Sequence, residues 1–328
     1  MEYTTLGRTA LRVSRLCLGT LNFGPRVDRD GSHALMDRAL DHGVNLFDTA
    51  DNYGWQIHRG HTEEILGSWF ARGGGRREKV VLGTKVFSEM ESWPNNGGLS
   101  ARHIIAGCED SLRRMRTDWI DLYQMHHVDR SAPWDEVWQA MEVLTAQGKI
   151  RYAGSSNFAG WHLSAAQEAA ARRGFLGLVS EQCVYNLVTR HVEMEVIPAA
   201  QAYGLGVLVW SPLHGGLLGG VLAKQRQGTA VKSAQGRATV ALRTLASEVA
   251  EYEDLCAELG EDPARVGLAW VLSRPGVTAP VIGPRTAEHL EEAVAALDLR
   301  LSDAVLERLD ALFPPVGNGG PAPEAWCW

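Results

Sequence analysis

Asp48 and Tyr53 stand five residues apart in the stretch GVNLFDTADNYG, Lys85 lies in VVLGTKV, and His126 follows the run WIDLYQM. Each is polar or titratable where an apolar run gives out, a place where a core strand has no use for it. A tyrosine with its ordinary pKa of about 10 donates a proton poorly near neutral pH unless a neighbour lowers that value. Lys85 beside it would favour the phenolate and is expected to lower the tyrosine's pKa, while Asp48 paired with Lys85 would keep the ammonium charged and in place. His126 would orient a substrate oxygen or relay the proton. Together these groups match what reduction of a carbonyl requires beside a hydride donor: a proton donor for the developing alkoxide and a site that stabilises charge on that oxygen. A single Lys at a strand end is ordinarily solvated and a single His ordinarily structural. Four such residues at successive strand ends argue against that reading here.

The elements that must position them follow a regular rhythm of short β-rich segment, polar turn and amphipathic helix. Strands are expected around residues 16–18, 44–47, 80–82, 120–123, 152–153, 177–179, 207–209 and 279–282. Helices are expected over 32–42, 62–71, 100–115, 134–147, 160–173, 192–203, 249–259 with 263–272, and 286–296. Eight strands alternating with helices, with no composition break, predict a single α/β domain over residues 1–328, a (β/α)8 TIM barrel. Residues 1–14 read as an N-terminal β-hairpin, with strands 3–6 and 11–13 around Gly7-Arg8-Thr9, placed to plug one end of the barrel. A long loop after strand 7, residues 214–243, starts HGGLLGG and carries Lys224, Arg226, Lys232 and Arg237. Loops of that length in a compact domain are usually functional or disordered, and this one has the composition either to close over a phosphate-bearing ligand or to be a plain mobile surface loop. The Pro/Gly-rich tail, 313–328, ends in Trp326 and Trp328 and is either a docked cover or a frayed end, the tryptophans favouring the cover.

The chain's 328 residues are enough to bury a large core. A net charge of −7 and a pI near 5.9 argue against a nucleic-acid or anionic-membrane partner. Five scattered cysteines without metal-type spacing suggest a reduced compartment, so the expected location is cytoplasmic. No apolar run approaches the roughly 18 residues of a membrane helix, and no signal peptide is legible. A homo-oligomer stays open. Metal catalysis finds no support, because His126 and His127 are adjacent and no ligand cluster at helical spacing accompanies them.

A dinucleotide would normally announce itself by GxGxxG between the first strand and helix, and that fingerprint is missing. The string GGLLGG comes too late in the chain. Polar strand ends offer another route: Ser156-Asn157 in GSSNF, Gln182 in SEQCVYN, Trp210-Ser211-Pro212-Leu213, and Gly283-Pro284-Arg285-Thr286 opening a helix. A helix N-terminus with an arginine suits the extra phosphate that distinguishes NADPH from NADH.

In order and spacing, the motifs DTADNYG, GTKV, DLYQMHHVD, GSSNF, SEQCVYN, VWSPL and IGPRTAEHL resemble the aldo-keto reductase family from GRTALRVSRLCLGTLNFG to about Leu309. The resemblance implies a (β/α)8 barrel that binds NADPH without a Rossmann fold. It implies that Asp48, Tyr53, Lys85 and His126 are the catalytic tetrad, with Tyr53 the general acid. It places Ser156, Asn157 and Gln182 on the carboxamide, Trp210 against the nicotinamide ring, and Ser211, Leu213 and Gly215 near the pyrophosphate. Gly19-Thr20 would supply the first-strand contact and Arg285 the 2′-phosphate contact. His289 and Ala293 depart from the family, standing where relatives often carry Gln and Asn near the adenine.

The strings YGWQIHRGHTEE, RSAPWDEVWQAMEVL, GFLGLVSEQCVYNLVTRH, HGGLLGGVL, GTAVKSAQGRA and APEAW are similar to an actinomycete branch of that family acting in deoxysugar biosynthesis. That likeness implies reduction at C3 of a dTDP-4-keto-6-deoxyhexose for antibiotic glycosylation. The sugar nucleotide's diphosphate would then meet His58, Arg59, His61, His127 or Arg130, with Trp55 and Trp93 as walls. Two other readings share the catalytic residues: a general NADPH-dependent aldehyde reductase, and a non-catalytic NADPH-binding regulatory subunit of an ion channel.

Overall fold

The computed structural model describes residues 1–228 and 236–317. Among the described residues ten strands are present: β1 Tyr3–Thr5, β2 Arg12–Ser14, β3 Cys17–Gly19, β4 Leu46–Asp48, β5 Val81–Val86, β6 Ile120–Met125, β7 Ile150–Ser156, β8 Leu178–Val184, β9 Gly206–Trp210 and β10 Val277–Ile282. The last eight close into a barrel in the order β10-β3-β4-β5-β6-β7-β8-β9, every pair parallel. Helices lie between consecutive barrel strands, as a (β/α)8 barrel requires. They are α1 Arg29–Asp41, α2 His61–Phe70, α3 Arg76–Lys79, α4 Ala101–Met115, α5 Trp134–Ala146, α6 Gly160–Arg172, α7 Val196–Ala202, α8 Val221–Arg226, α9 Arg237–Ala241, α10 Ala246–Leu259, α11 Pro263–Ser273, α12 Ala287–Ala295 and α13 Asp303–Leu312.

The barrel interior changes chemistry along its axis. Cys17, Leu46, Val81, Leu122, Val179, Leu208 and Ala279 form one buried apolar layer, closed from below by Leu6 and Val13 of the hairpin. Each fully buried aliphatic side chain of this kind contributes about 1.5–3 kcal/mol. The hairpin is held there by Arg8, whose amide donates to Gly204 O at 2.7 Å and whose guanidinium donates to Tyr203 O at 2.6 Å. Two residues further along β4, β5 and β6, the same inward face presents Asp48, Gly83 then Lys85, and Gln124, because strand side chains alternate with period two. An apolar plug thus passes directly into a polar floor.

Outside the barrel, Trp69, Trp138 and Trp270 are fully buried among the helices, and Trp138 Nε1 donates to Ala166 O at 2.9 Å. Helix starts use ordinary caps: Asp28 accepts from Gly31 N at 2.8 Å, and Asp262 accepts from Ala264 N ahead of Pro263 at the first helical position.

Some expectations need correction. The helix read over 192–203 is a one-turn 3₁₀ segment, His191–Glu193, followed by α7. Pro198 sits in the first turn of α7 and cannot lie deeper in a continuous helix, where its ring would clash with the carbonyl four residues back. The loop after strand 7 is partly helical, carrying α8 and α9, and α3 and α13 were not anticipated. Lys232, Trp326 and Trp328, and with them the docked-tail reading, lie outside the described residues. The four described cysteines, Cys17, Cys108, Cys183 and Cys256, are buried and unpaired. No described helix is long and apolar enough to cross a membrane.

Candidate active site

Asp48 is the last residue of β4, and register sets it opposite Gly83 of β5. A Cβ on Gly83 would stand 3.2 Å from Gln124 Nε2 and 3.7 Å from Asp48 Oδ1. On the other side of Gln124, a Cβ on Gly154 would come within 3.1 Å of the glutamine's Cγ. Two strand glycines therefore leave room for one buried polar cluster. Within it Lys85 Nζ donates to Asp48 Oδ2 at 2.5 Å and to Thr49 O at 2.8 Å, and lies 3.3 Å from Tyr53 Oη. Asp48 Oδ1 accepts from Gln124 Nε2 at 3.0 Å and from Gln182 Nε2 at 2.9 Å. The Tyr53 and His126 rings meet edge-on with centroids 5.9 Å apart. The structure thus brings Asp48, Tyr53, Lys85 and His126 to the C-terminal mouth of the barrel.

Gln182 reaches this cluster through an irregularity in β8. Ala153 pairs with Leu178, but Ser155 pairs with Glu181, so β8 carries one extra residue. A bulge of this kind shifts the alternation, turning Gln182 inward above Val179. Glu181 faces away, accepting from Ser155 Oγ at 2.5 Å and Phe158 N at 2.9 Å. Burial pushes its carboxyl pKa up to about 8, against the lowering effect of those hydrogen bonds.

The electrostatics correct one expectation. Lys85 does not lower the tyrosine's pKa on balance: burial of the phenol raises it, and the ammonium's opposing pull is countered by Asp48. The Asp48–Lys85 pair is nearly neutral as seen from Tyr53, so the hydroxyl keeps its proton at neutral pH. Lys85 itself is drawn down by burial, but Asp48 and Tyr53 outweigh this and hold the ammonium charged. Burial, then Lys85 and His127, depress His126 to about 3. His126 is consequently a neutral imidazole, suited to donating or accepting a hydrogen bond and unsuited to storing a proton. Asp51, two residues before Tyr53, is buried with neither carboxyl oxygen hydrogen-bonded within the protein, and burial followed by Glu63 raises its pKa.

The residues expected to face a cofactor ring the same mouth. Thr20 Oγ1 donates to Asp48 O at 3.0 Å, and buried Gly19 leaves no space for a Cβ beside Val281 and Ile282. Ser156 Oγ donates to Gln182 O at 2.8 Å. Asn157 takes a left-handed backbone, φ 61°, and its side chain spans Trp210 Nε1 at 3.0 Å and His126 O at 3.1 Å. Beyond β9, Ser211, His214 and Gly215 also have positive φ, and Ser211 Oγ accepts from Gly215 N at 3.0 Å around Pro212 and Leu213. Non-glycine residues held this way each cost of order 1–3 kcal/mol and cluster where a ligand is gripped. The Arg237 guanidinium lies over Trp210, 4.7 Å from the ring centroid, a contact the sequence did not suggest. Gly283 O accepts from Asn22 Nδ2 at 2.8 Å, leading to exposed Arg285 at the start of α12. His289, one turn on, is depressed by burial and then by Arg285 and Lys224, with Glu288 and Asp262 pulling the other way.

The residues expected to meet substrate lie higher on the rim. Trp55 and Trp93 are 50% and 70% exposed, an unusual cost for indoles at one opening. Arg59 donates to Met90 O at 3.3 Å and so ties the Trp55 loop to the Trp93 loop. His127 is exposed against Phe87, and Arg130 is exposed beyond it. His58 and His61 depart from the expectation. Both turn to Glu64, at 3.0 and 3.7 Å, and a carboxylate there weakens any claim to a diphosphate. That cluster was not anticipated from the sequence, although the spacing HRGHTEE, with ligand types at i, i+3 and i+6, signals it. Gln124 was also missed, although a glutamine inside the apolar run IDLYQM is itself a signal.

A profile of the Aldo/keto reductase family matches residues 15–313. The chain is 53% identical over its whole length to the uncharacterized oxidoreductase YrpG of Bacillus subtilis, covering all of that protein. It is 34% identical to a probable voltage-gated potassium channel subunit beta of Oryza sativa, over 95% of this chain and 96% of the relative. It is 30% identical to the versiconal hemiacetal acetate reductase of Aspergillus parasiticus, over 96% of this chain and 98% of the relative.

Proposed function

The chain belongs to the aldo/keto reductase family and is an oxidoreductase, and from that premise we propose that it is an NADPH-dependent carbonyl reductase with Tyr53 as general acid. One observation carries this reading: a buried Asp48–Lys85 pair sits 3.3 Å from the Tyr53 hydroxyl at the barrel mouth, beside a neutral His126. A proton retained on Tyr53 in the resting site is the form a general acid needs. When it passes to the developing alkoxide, the phenolate left behind faces an ammonium. His126 orients the carbonyl oxygen through a hydrogen bond.

The residues present fit a phosphorylated dinucleotide. Left-handed backbone at Ser211, His214 and Gly215 suits the β9 loop to a pyrophosphate, and Arg285 with Lys224 supplies cations for a 2′-phosphate beside the neutral ring of His289. Ser156, Asn157 and Gln182 are assigned to the carboxamide and Trp210 to the nicotinamide face. When bound, NADPH supplies the hydride.

For the substrate we assign the keto group, at C3, of a dTDP-4-keto-6-deoxyhexose in deoxysugar and antibiotic biosynthesis. Exposed Trp55 and Trp93, with Arg59 between their loops, support a rim built for a sugar nucleotide. The test is NADPH oxidation with the keto-sugar nucleotide generated in place, beside a panel of simple aldehydes and a Tyr53→Phe control. Turnover of the sugar nucleotide, lost in the control, is the expected outcome. Turnover of aldehydes alone would replace the substrate with a general aldehyde. Tight NADPH binding without turnover would favour the regulatory-subunit reading suggested by the likeness to proteins named as potassium channel β subunits.

A further inference from the structure

The loop from Gly54 to Gly60 and the first turn of α2 bring two imidazoles and a carboxylate together, independently of the substrate reading above. The ligand atoms of His58, His61 and Glu64 all lie within 4.8 Å of one another. His58 Nε2 is 3.0 Å and His61 Nδ1 3.7 Å from the same Glu64 oxygen, Oε2. The first separation is a hydrogen bond; the second is too long for one. His61 Nδ1 is buried and makes no hydrogen bond within the protein. An imidazole–carboxylate pair therefore accounts for His58 but leaves the second ring unexplained.

The ring of His61 is fixed in that orientation from behind. Its Cδ2 and Nε2 edge packs onto Gly24, where a Cβ would stand 2.6 and 3.2 Å away. The backbone is equally determined: Ile57 N and His58 N both donate to Gly54 O, His61 N donates to His58 O at 3.2 Å, and Glu64 N donates to Gly60 O at 3.1 Å. His58 and Glu64 each keep half their side-chain surface exposed, which leaves an entry path and an open coordination position.

We propose that His58 Nε2, His61 Nδ1 and Glu64 Oε2 bind one divalent cation of the zinc class. A cation bonded at about 2.0–2.2 Å to nitrogen and oxygen in a tetrahedral shell needs its donors roughly 3.3–3.5 Å apart; the two separations to Glu64 Oε2 bracket that value, and the two imidazole nitrogens, within 4.8 Å of each other, would close to it as the half-exposed His58 adjusts. Two imidazoles and one carboxylate select zinc, cobalt or nickel over magnesium and calcium, which prefer oxygen alone. Water completes the shell. The ion joins the Tyr53 loop to α2 next to the point where Thr62 N donates to Tyr53 O at 3.2 Å, so it acts as a staple on the loop that carries the phenol.

The experiment uses tag-free full-length protein stripped with chelator, titrated with Co²⁺ by visible absorption and with Zn²⁺ by calorimetry. One equivalent with an intense, tetrahedral-type cobalt spectrum is expected, together with a rise in melting temperature on adding Zn²⁺. Glu64→Gln and His58→Asn, both at exposed positions, should weaken binding at least about tenfold with unchanged circular dichroism, and His61→Ala should abolish the spectrum. Absence of a saturable cobalt spectrum would overturn the proposal. So would binding that survives all three substitutions, since the ion would then sit elsewhere.

Discussion

Lys85 Nζ lies 2.5 Å from Asp48 Oδ2 with both side chains buried, and Asp48 Oδ1 is taken up by two glutamine amides. The aspartate thus accepts from three side-chain donors and has no face left for a donor of its own. Asp48→Asn keeps the size but must turn an NH2 group toward either the ammonium or the amides. Leaving a buried charge so poorly matched costs about 2–4 kcal/mol. Chemical denaturation should show a loss of that order, and kcat should fall by roughly a hundredfold as Lys85 loses its counter-charge. A variant as stable and active as the parent would remove Asp48 from the network.

Glu181 links the fold to pH in the direction opposite to most carboxylates. Its pKa is about 8 in the folded chain against an ordinary 4.5, so the folded state keeps a proton that the unfolded state releases. Its contribution is complete below the unfolded value and is lost as pH rises through about 8. Glu181→Gln keeps the hydrogen-bonding shape without the ionisation. Melting temperature should therefore decline between pH 6 and pH 9 more steeply in the parent than in the variant. Parallel curves would mean that Glu181 is ionised within the barrel wall.

Arg285 stands exposed at the start of α12, and its charge and that of Lys224 both reach His289. A dianionic phosphate placed there pairs with the guanidinium. Arg285→Ala should weaken NADPH binding about tenfold or more, the value of a charge-assisted contact, while leaving NADH unaffected. Equal losses for the two dinucleotides, read by fluorescence titration, would place the 2′-phosphate elsewhere.

The sequence by itself determined the barrel and the types of residue at its mouth. Apolar runs of strand length end abruptly at Asp48, Lys85 and His126, and such interruptions are visible without coordinates because burying a lone charge is prohibitive. Helices with clear caps and an amphipathic period, such as Ala101–Met115, were equally legible. Short elements were not: Arg76–Lys79 and Val221–Arg226 are too brief for a period to show, and Pro198 split a helix that read as continuous.

Tertiary structure alone decided the chemistry of the mouth. Whether Lys85 lowers the tyrosine depends on how far burial and Asp48 oppose it, and burial is a property of the closed barrel. One extra residue in Leu178–Val184 turned Gln182 toward Asp48 and left Glu181 in the wall, a choice made by strand pairing that spacing does not reveal. The turn between Gly54 and Gly60 likewise carried His58 and His61 to Glu64, away from the role of free surface cations. Residue types are local, but the net field at an atom sums over everything the fold packs around it.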